Sequence, residues 1–71
     1  MTNDDLTEIG WAIRALRNEQ GFSQETFAKH VNINRSYMGR IERGEQNISA
    51  LNLIKIAKGL GVNVGVFFKR V

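Results

Sequence analysis

The 71-residue chain has no cysteine, no proline and a single histidine. Without cysteine there is neither a disulfide framework nor a thiolate metal site. His30 stands alone, with no second histidine to share a metal and no thiol to activate, so metal and nucleophilic chemistry are both poorly supplied. The carboxylates Asp4 and Asp5, like Glu42 and Glu45, are neighbours only along the chain, and a chain this short cannot wall off an obvious substrate pocket. No glycine-rich phosphate loop is present. No apolar run approaches the roughly 18 residues of a membrane span, and no basic-then-apolar leader opens the chain. No membrane partner, metal or small-molecule cofactor is therefore expected, and the cytoplasm is the default location. Repeats, low-complexity segments and proline-rich linkers are also missing. What these absences leave is a binding protein rather than an enzyme.

Residues 1–71 make one small domain. A domain of this size buries a limited share of its surface and is marginally stable alone, so dimerisation is a common supplement. The net charge of +3 is modest, but its distribution is uneven. Residues 1–25 hold two basic and five acidic side chains, a net of −3; residues 26–71 hold eight basic ones against Glu42 and Glu45, a net of +6. A basic second half fits a polyanionic partner, although a merely solvated surface would carry the same charges.

The stretch Ser23–Gly44, SQETFAKHVNINRSYMGRIERG, reads as two short helices joined by a tight turn. Ser23 can cap the first, about 24–31, in which Phe27, Ala28 and Val31 share a face. The pattern breaks at Val31-Asn32-Ile33-Asn34, where Asn32 tolerates a left-handed backbone. Asn34 can cap the second helix, about 35–43, with Tyr37, Met38 and Ile41 at helical spacing, and Gly44 can end it in a left-handed position. Upstream, a helix beginning near Asp4 or Asp5 carries the stripe Leu6, Ile9, Ile13 and Leu16, with Gly10 beside it for close approach and Trp11 off it. Phe22 is expected in the core. Downstream, Ser49 can cap a fourth helix through Leu60. Leu51, Ile54, Ala57 and Leu60 fall on one face, widened by Leu53 and Ile56. Asn63 can cap a last short helix, Val64 to about Phe68, before a tail at Lys69-Arg70-Val71. The total is an all-α, compact five-helix domain.

Ser23-Gln24-Glu25, Phe27-Ala28, the short turn, and Ser36-Tyr37-Met38 leading into Ile41-Glu42-Arg43-Gly44 together resemble the Xre/Cro family of helix-turn-helix repressors. The likeness extends back through Ile9-Gly10, Ile13 and Leu16-Arg17, and forward through Leu51, Leu53-Ile54, Ile56-Ala57 and Leu60-Gly61-Val62. It implies a repressor-like DNA-binding domain, a transcriptional regulator with double-stranded DNA as partner. The run NRSYMGRIERG resembles in particular the controller proteins of restriction–modification systems, although phage-type repressors and antitoxins share most of the pattern. The resemblance further implies that Arg17 and Glu42 form a structural ion pair tying the first helix to the end of the recognition helix. A guanidinium and a carboxylate match in two parallel hydrogen bonds.

In a helix-turn-helix the second helix enters the major groove with its leading residues on base edges. Arg35, Ser36 and Arg40 are then the candidate base readers, Arg35 foremost because arginine can donate twice to guanine O6 and N7. Gly39 either lets the helix sit deep in the groove or is a tolerated weak spot. Phosphate contacts are expected from Gln24, Asn34, Tyr37, Arg43 and Asn47, with Arg43 equally placed to be a cation on the helix C-terminus. Region 62–71 holds more apolar surface than a short terminal helix can bury. Val62, Val64, Val66, Phe67 and Phe68 are accordingly expected at a homodimer interface, which would set two recognition helices about 34 Å apart on a palindromic site. The competing expectation is a protein-interaction module, such as an antitoxin holding a toxin, which would favour a neutral or acidic second helix.

Overall fold

A computed structural model describes residues 2–68. Helix α1 spans Asn3–Glu19, α2 Gln24–His30, α3 Arg35–Glu42 and α4 Ala50–Leu60; a 3₁₀ helix, Val64–Phe68, follows. All regular structure among the described residues is helical. The last three residues of the 62–71 region lie outside them.

Local hydrogen bonds set these boundaries. Thr2, rather than Asp4 or Asp5, caps α1: its hydroxyl accepts from Asp5 N at 3.1 Å, and the Asp5 carboxylate accepts from Thr2 N at 3.2 Å. That reciprocal pair is a capping box, and it starts the helix at Asn3, two or three residues earlier than a cap at Asp4 or Asp5 would. Ser23, Asn34 and Ser49 cap α2, α3 and α4, each accepting from the backbone three residues on. At the end of α2, Ile33 N donates to Ala28 O and Asn32 N to Lys29 O, the paired bonds of a Schellman motif, and Asn32 takes its left-handed position at φ 56°. The end of α3 repeats the motif. Glu45 N donates to Arg40 O, Gly44 N to Ile41 O, and Gly44 has φ 74°.

Ile9, Ile13, Phe27, Met38, Ile41 and Ile56 are fully buried and form the centre of the core. Helix α1 crosses α3 without a side chain at Gly10. A Cβ built there would stand 2.5 Å from Ile41 O and 2.6 Å from Glu42 O, closer than non-bonded atoms approach. This contact presses the inner side of α3 onto the core and leaves the opposite side of that helix to solvent.

Two expectations fail at the C-terminal end. The fifth element is a five-residue 3₁₀ turn rather than an α-helix. Five residues are too few to gain much from i→i+4 bonding, and the tighter winding aligns residues three apart. Val64 and Phe67 therefore share a side, and Phe67, 2% exposed, fills the core of its own domain rather than the expected interface. Val62, Val64, Val66 and Phe68 are half-buried against that core. Helix α4 is also rotated from the expected phase. Leu53, Ile56, Ala57 and Leu60 point inward, whereas Leu51 is 70% and Ile54 41% exposed. Phe22 is half-buried, tilted on Phe27 at 5.2 Å between ring centroids and stacked with His30 at 5.0 Å.

Candidate nucleic-acid interface

The turn between α2 and α3 holds the outer side of α3 clear of the fold. Arg35 and Ser36 are exposed in its first turn, Arg40 one turn later, and Arg43 at its C-cap. Gln24, from the first turn of α2, joins these four around Gly39 to line a groove of about 380 Å³. Gly39 forms the floor: a Cβ there would meet Arg43 Nη1 at 3.2 Å and Gln24 Oε1 at 3.4 Å. Gly39 is buried because those two long side chains close over it.

Behind the groove lies a buried network. Arg17 Nε and Nη2 donate to the two carboxylate oxygens of Glu42 at 2.7 and 2.8 Å. The remaining nitrogen, Nη1, donates to Asn18 Oδ1 and to Phe22 O. The side chains of this fork-to-fork pair are only 8% and 3% exposed. The hydrogen bonds that Arg17 donates to Glu42 raise its pKa above the ordinary value, against the opposing effect of burial and with a smaller contribution from the Glu42 charge. Gln24 Nε2 donates to Glu42 Oε1 at 3.1 Å. Its amide is thereby oriented from behind, with one N–H committed inward and the second left to donate elsewhere. Sequence reading missed this third member, since nothing local connects residues 18 positions apart.

A second, more open concavity of about 460 Å³ lies between the start of α3 and α4, lined by Asn32, Ile33, Asn34, Tyr37, Arg40, Asn52 and Lys55. Asn34 uses its side-chain oxygen as the α3 cap, accepting from Tyr37 N at 3.1 Å, which leaves its amide N–H groups free of that role. The Tyr37 hydroxyl accepts from Asn52 Nδ2 at 3.3 Å, and Lys55 Nζ donates to Asn32 O at 3.1 Å. Arg40 lies 5.8 Å from the Tyr37 ring centre, and its Nε donates to Gln46 Oε1 at 3.3 Å. Asn52 and Lys55 were not among the residues singled out from sequence. Their only signal was position on the fourth helix, where Lys55 falls on the polar side.

Of the expected contacts, Gln24, Arg35, Ser36, Arg40 and Arg43 thus share one groove, and Asn34 and Tyr37 the other, with Arg40 between them. Asn47 is exposed in the loop before α4 and lines neither. The outer arginines have acidic neighbours. Arg43 Nε donates to Glu45 Oε2 at 3.0 Å, and that bond, then the Glu45 charge, raise the Arg43 pKa. Arg35 Nε lies 4.0 Å from Glu25 Oε2. His30 is exposed, its Nε2 3.3 Å from Gly59 O. Among the described residues no group of three or more His, Cys, Asp or Glu is placed to hold a metal, and no helix is long and apolar enough to cross a membrane. What the surface offers is a convex rod of arginine and hydroxyl donors flanked by two shallow grooves rich in N–H groups, a shape that fits a grooved polyanion.

Comparison with known proteins agrees with this geometry. A helix-turn-helix family model matches residues 13–67. The control protein C.MunI of Mycoplasma sp is 39% identical over 67 residues, covering 93% of this chain and 90% of that protein. The control protein C.BamHI of Bacillus amyloliquefaciens is 40% identical over 63 residues, covering 87% and 78%. Among solved structures, the restriction-modification controller protein C.AhdI of Aeromonas hydrophila has a TM-score of 0.88 at 40% identity, covering 92% of this chain and 98% of that one.

Proposed function

The chain belongs to the helix-turn-helix family of DNA-binding transcriptional regulators, and from that premise we propose that it is a controller-type regulator that reads a palindromic operator in the major groove as a homodimer. It is a DNA-binding protein, not an enzyme. The observation that carries the proposal is the outer side of α3. Arg35 and Ser36 stand exposed at its leading end and Arg40 one turn on, while Met38 and Ile41 anchor the other side in the core.

Arg35 is the principal base reader, since its fork suits guanine O6 and N7, and a good bidentate pair discriminates by about 1–3 kcal/mol. Ser36 and Arg40 continue the reading face. Gln24, pre-oriented by Glu42, grips a phosphate with its second amide N–H. Asn34, Tyr37, Arg43 and Asn47 supply further backbone contacts, and Asn52 and Lys55 extend the second groove along α4. Arg35 and Arg40 on α3 and Arg43 at its C-cap keep this face basic even beside Glu25 and Glu45, which favours DNA over a protein partner.

The dimer reading draws on α4 as well as the C-terminal turn. Leu51 and Ile54 are large aliphatic side chains left to water on a helix whose other side is core, and an unpartnered apolar surface of this kind marks an interface. Val62, Val64, Val66 and Phe68, each half-buried, add to it; Phe67 does not.

The test is selection of genomic fragments by gel shift, followed by titration on the selected duplex. Affinity should fall steeply as salt rises, because displaced counterions drive binding. Arg35→Ala should flatten the preference for the selected sequence by roughly 10- to 100-fold. Unchanged preference in that variant removes Arg35 from base reading, and no selection by the parent chain removes the function.

A further inference from the structure

We propose that Glu25 and Glu45 are specificity-determining residues, carboxylates set at the two ends of the reading face to suppress sequence-independent attraction to DNA. The inference rests on the DNA-binding reading above and concerns what the arginines do before the right sequence is found.

The three arginines of the face are partnered unequally. Arg43, at the trailing end, donates to Glu45 at 3.0 Å, and Arg35, at the leading end, lies 4.0 Å from Glu25. Arg40, between them, meets the neutral Gln46 at 3.3 Å. The backbone position of each carboxylate brings it near its arginine. Glu25 sits in the first turn of α2, where the helix dipole favours an anion. Glu45 occupies the residue after Gly44 in the Schellman motif, its backbone fixed by the bond to Arg40 O at 2.9 Å. That backbone position sets Glu45 within reach of Arg43.

All four side chains of these two pairs are more than half exposed, so the pairs are weak and lock nothing. Their effect is on charge. The two carboxylates lower the face from three positive charges to one. Sequence-independent binding follows the number of phosphates neutralised, because released counterions drive it. A carboxylate on the docked face acts against it twice, by neutralising an arginine and by facing phosphate itself. At the correct site the arginine fork finds guanine acceptors at short range, and the loss of its acidic neighbour is offset by bonds that a random duplex does not offer. Glu25 and Glu45 therefore weaken wrong sites more than the right one.

The experiment titrates the full chain, by fluorescence anisotropy in about 100 mM salt, with the duplex selected above and a random duplex of equal length. Glu25→Gln and Glu45→Gln keep side-chain shape and remove charge. Glu19→Gln removes one such charge at the end of α1, away from these arginines, and Gln46→Glu adds one beside Arg40. The double variant E25Q/E45Q should bind the random duplex about tenfold more tightly, and the selected duplex by clearly less. Its salt dependence on random DNA should steepen, by up to about one logarithmic unit per freed arginine. E19Q should change neither ratio nor slope, and Q46E should weaken random binding. A wild-type chain that discriminates between the duplexes, with an E25Q/E45Q variant of equal discrimination, overturns this inference while leaving the DNA-binding reading intact. An effect of E19Q as large as that of E25Q or E45Q alone overturns it too, by showing that net charge alone is at work. A wild-type chain that binds neither duplex overturns both.

Discussion

Removing the Glu42 carboxylate is the perturbation with the widest expected consequences. In Glu42→Ala, Arg17 loses two charge-assisted bonds of 2.7 and 2.8 Å and keeps only those to Asn18 and Phe22 O. Arg17 as a whole residue is 7% exposed, so water cannot readily replace what is lost. An orphaned buried charge of this kind costs about 3–5 kcal/mol. A domain of 71 residues holds about 4–10 kcal/mol in total, at roughly 0.05–0.15 kcal/mol per residue. The variant should therefore lose roughly half of its stability or more, reaching its unfolding midpoint at room temperature if the parent lies at the lower end of that range. Urea denaturation followed by far-UV circular dichroism, at one fixed protein concentration because association would add apparent stability, measures the loss. The companion double variant Arg17→Met/Glu42→Leu replaces the pair with apolar side chains of similar length. It should recover most of the lost stability, because it removes the unpaired charge as well as the bonds. It should not recover DNA affinity, since Gln24 Nε2 has lost its anchor on Glu42 Oε1. A loss below about 1 kcal/mol in Glu42→Ala would show that the pair is screened like a surface one, and the account of a dry ion pair would be wrong.

Other substitutions probe single contacts. Gly10→Ala places a Cβ 2.5 Å from Ile41 O, about 0.9 Å inside the 3.4 Å at which ordinary contact begins; overpacking should outweigh the roughly 1 kcal/mol gained in helix propensity and leave a net loss of about 2 kcal/mol, read as a lowered thermal midpoint. Asn34→Ala removes the cap that accepts from Tyr37 N. It should cost about 1 kcal/mol and fray the leading turn of α3, so DNA affinity should fall further than stability. Leu51→Glu, at a position 70% exposed, should leave the fold intact but shift the sedimentation profile to monomer and lower affinity for a palindrome more than for a half-site. An unchanged profile would move the dimer interface elsewhere.

Much of the fold was legible because it is written in short-range hydrogen bonds. A hydroxyl or amide at an N-cap acts three residues away, so Ser23, Asn34 and Ser49 mark helix starts without knowledge of anything distant. Asn32 and Gly44 likewise declare left-handed turns locally, at φ 56° and 74°. The phase of α4 was not legible. Leu51-Ile54-Ala57 and Leu53-Ile56-Leu60 both satisfy helical spacing on a helix apolar nearly all round, and periodicity cannot say which stripe a neighbour will cover. Phe67 and Gln24 pose the same problem. The side Phe67 takes depends on 3₁₀ winding over α1 and α4, and the Gln24 partner is 18 residues away.

The sequence by itself determined the four α-helices, the tight turn between α2 and α3, the segregation of basic charge toward the second half, and the helix-turn-helix resemblance. Those are properties of neighbours along the chain, governed by backbone bonding and helical period. Only the tertiary structure decided that Gln24, Arg35, Ser36, Arg40 and Arg43 share one groove over Gly39, that Glu42 orients the Gln24 amide, and that Leu51 and Ile54 remain outside. Those outcomes depend on α1 pressing onto α3 at Gly10, a contact between backbones that lie 31 and 32 residues apart in the sequence. No local preference encodes such a contact; close packing of the whole domain selects it.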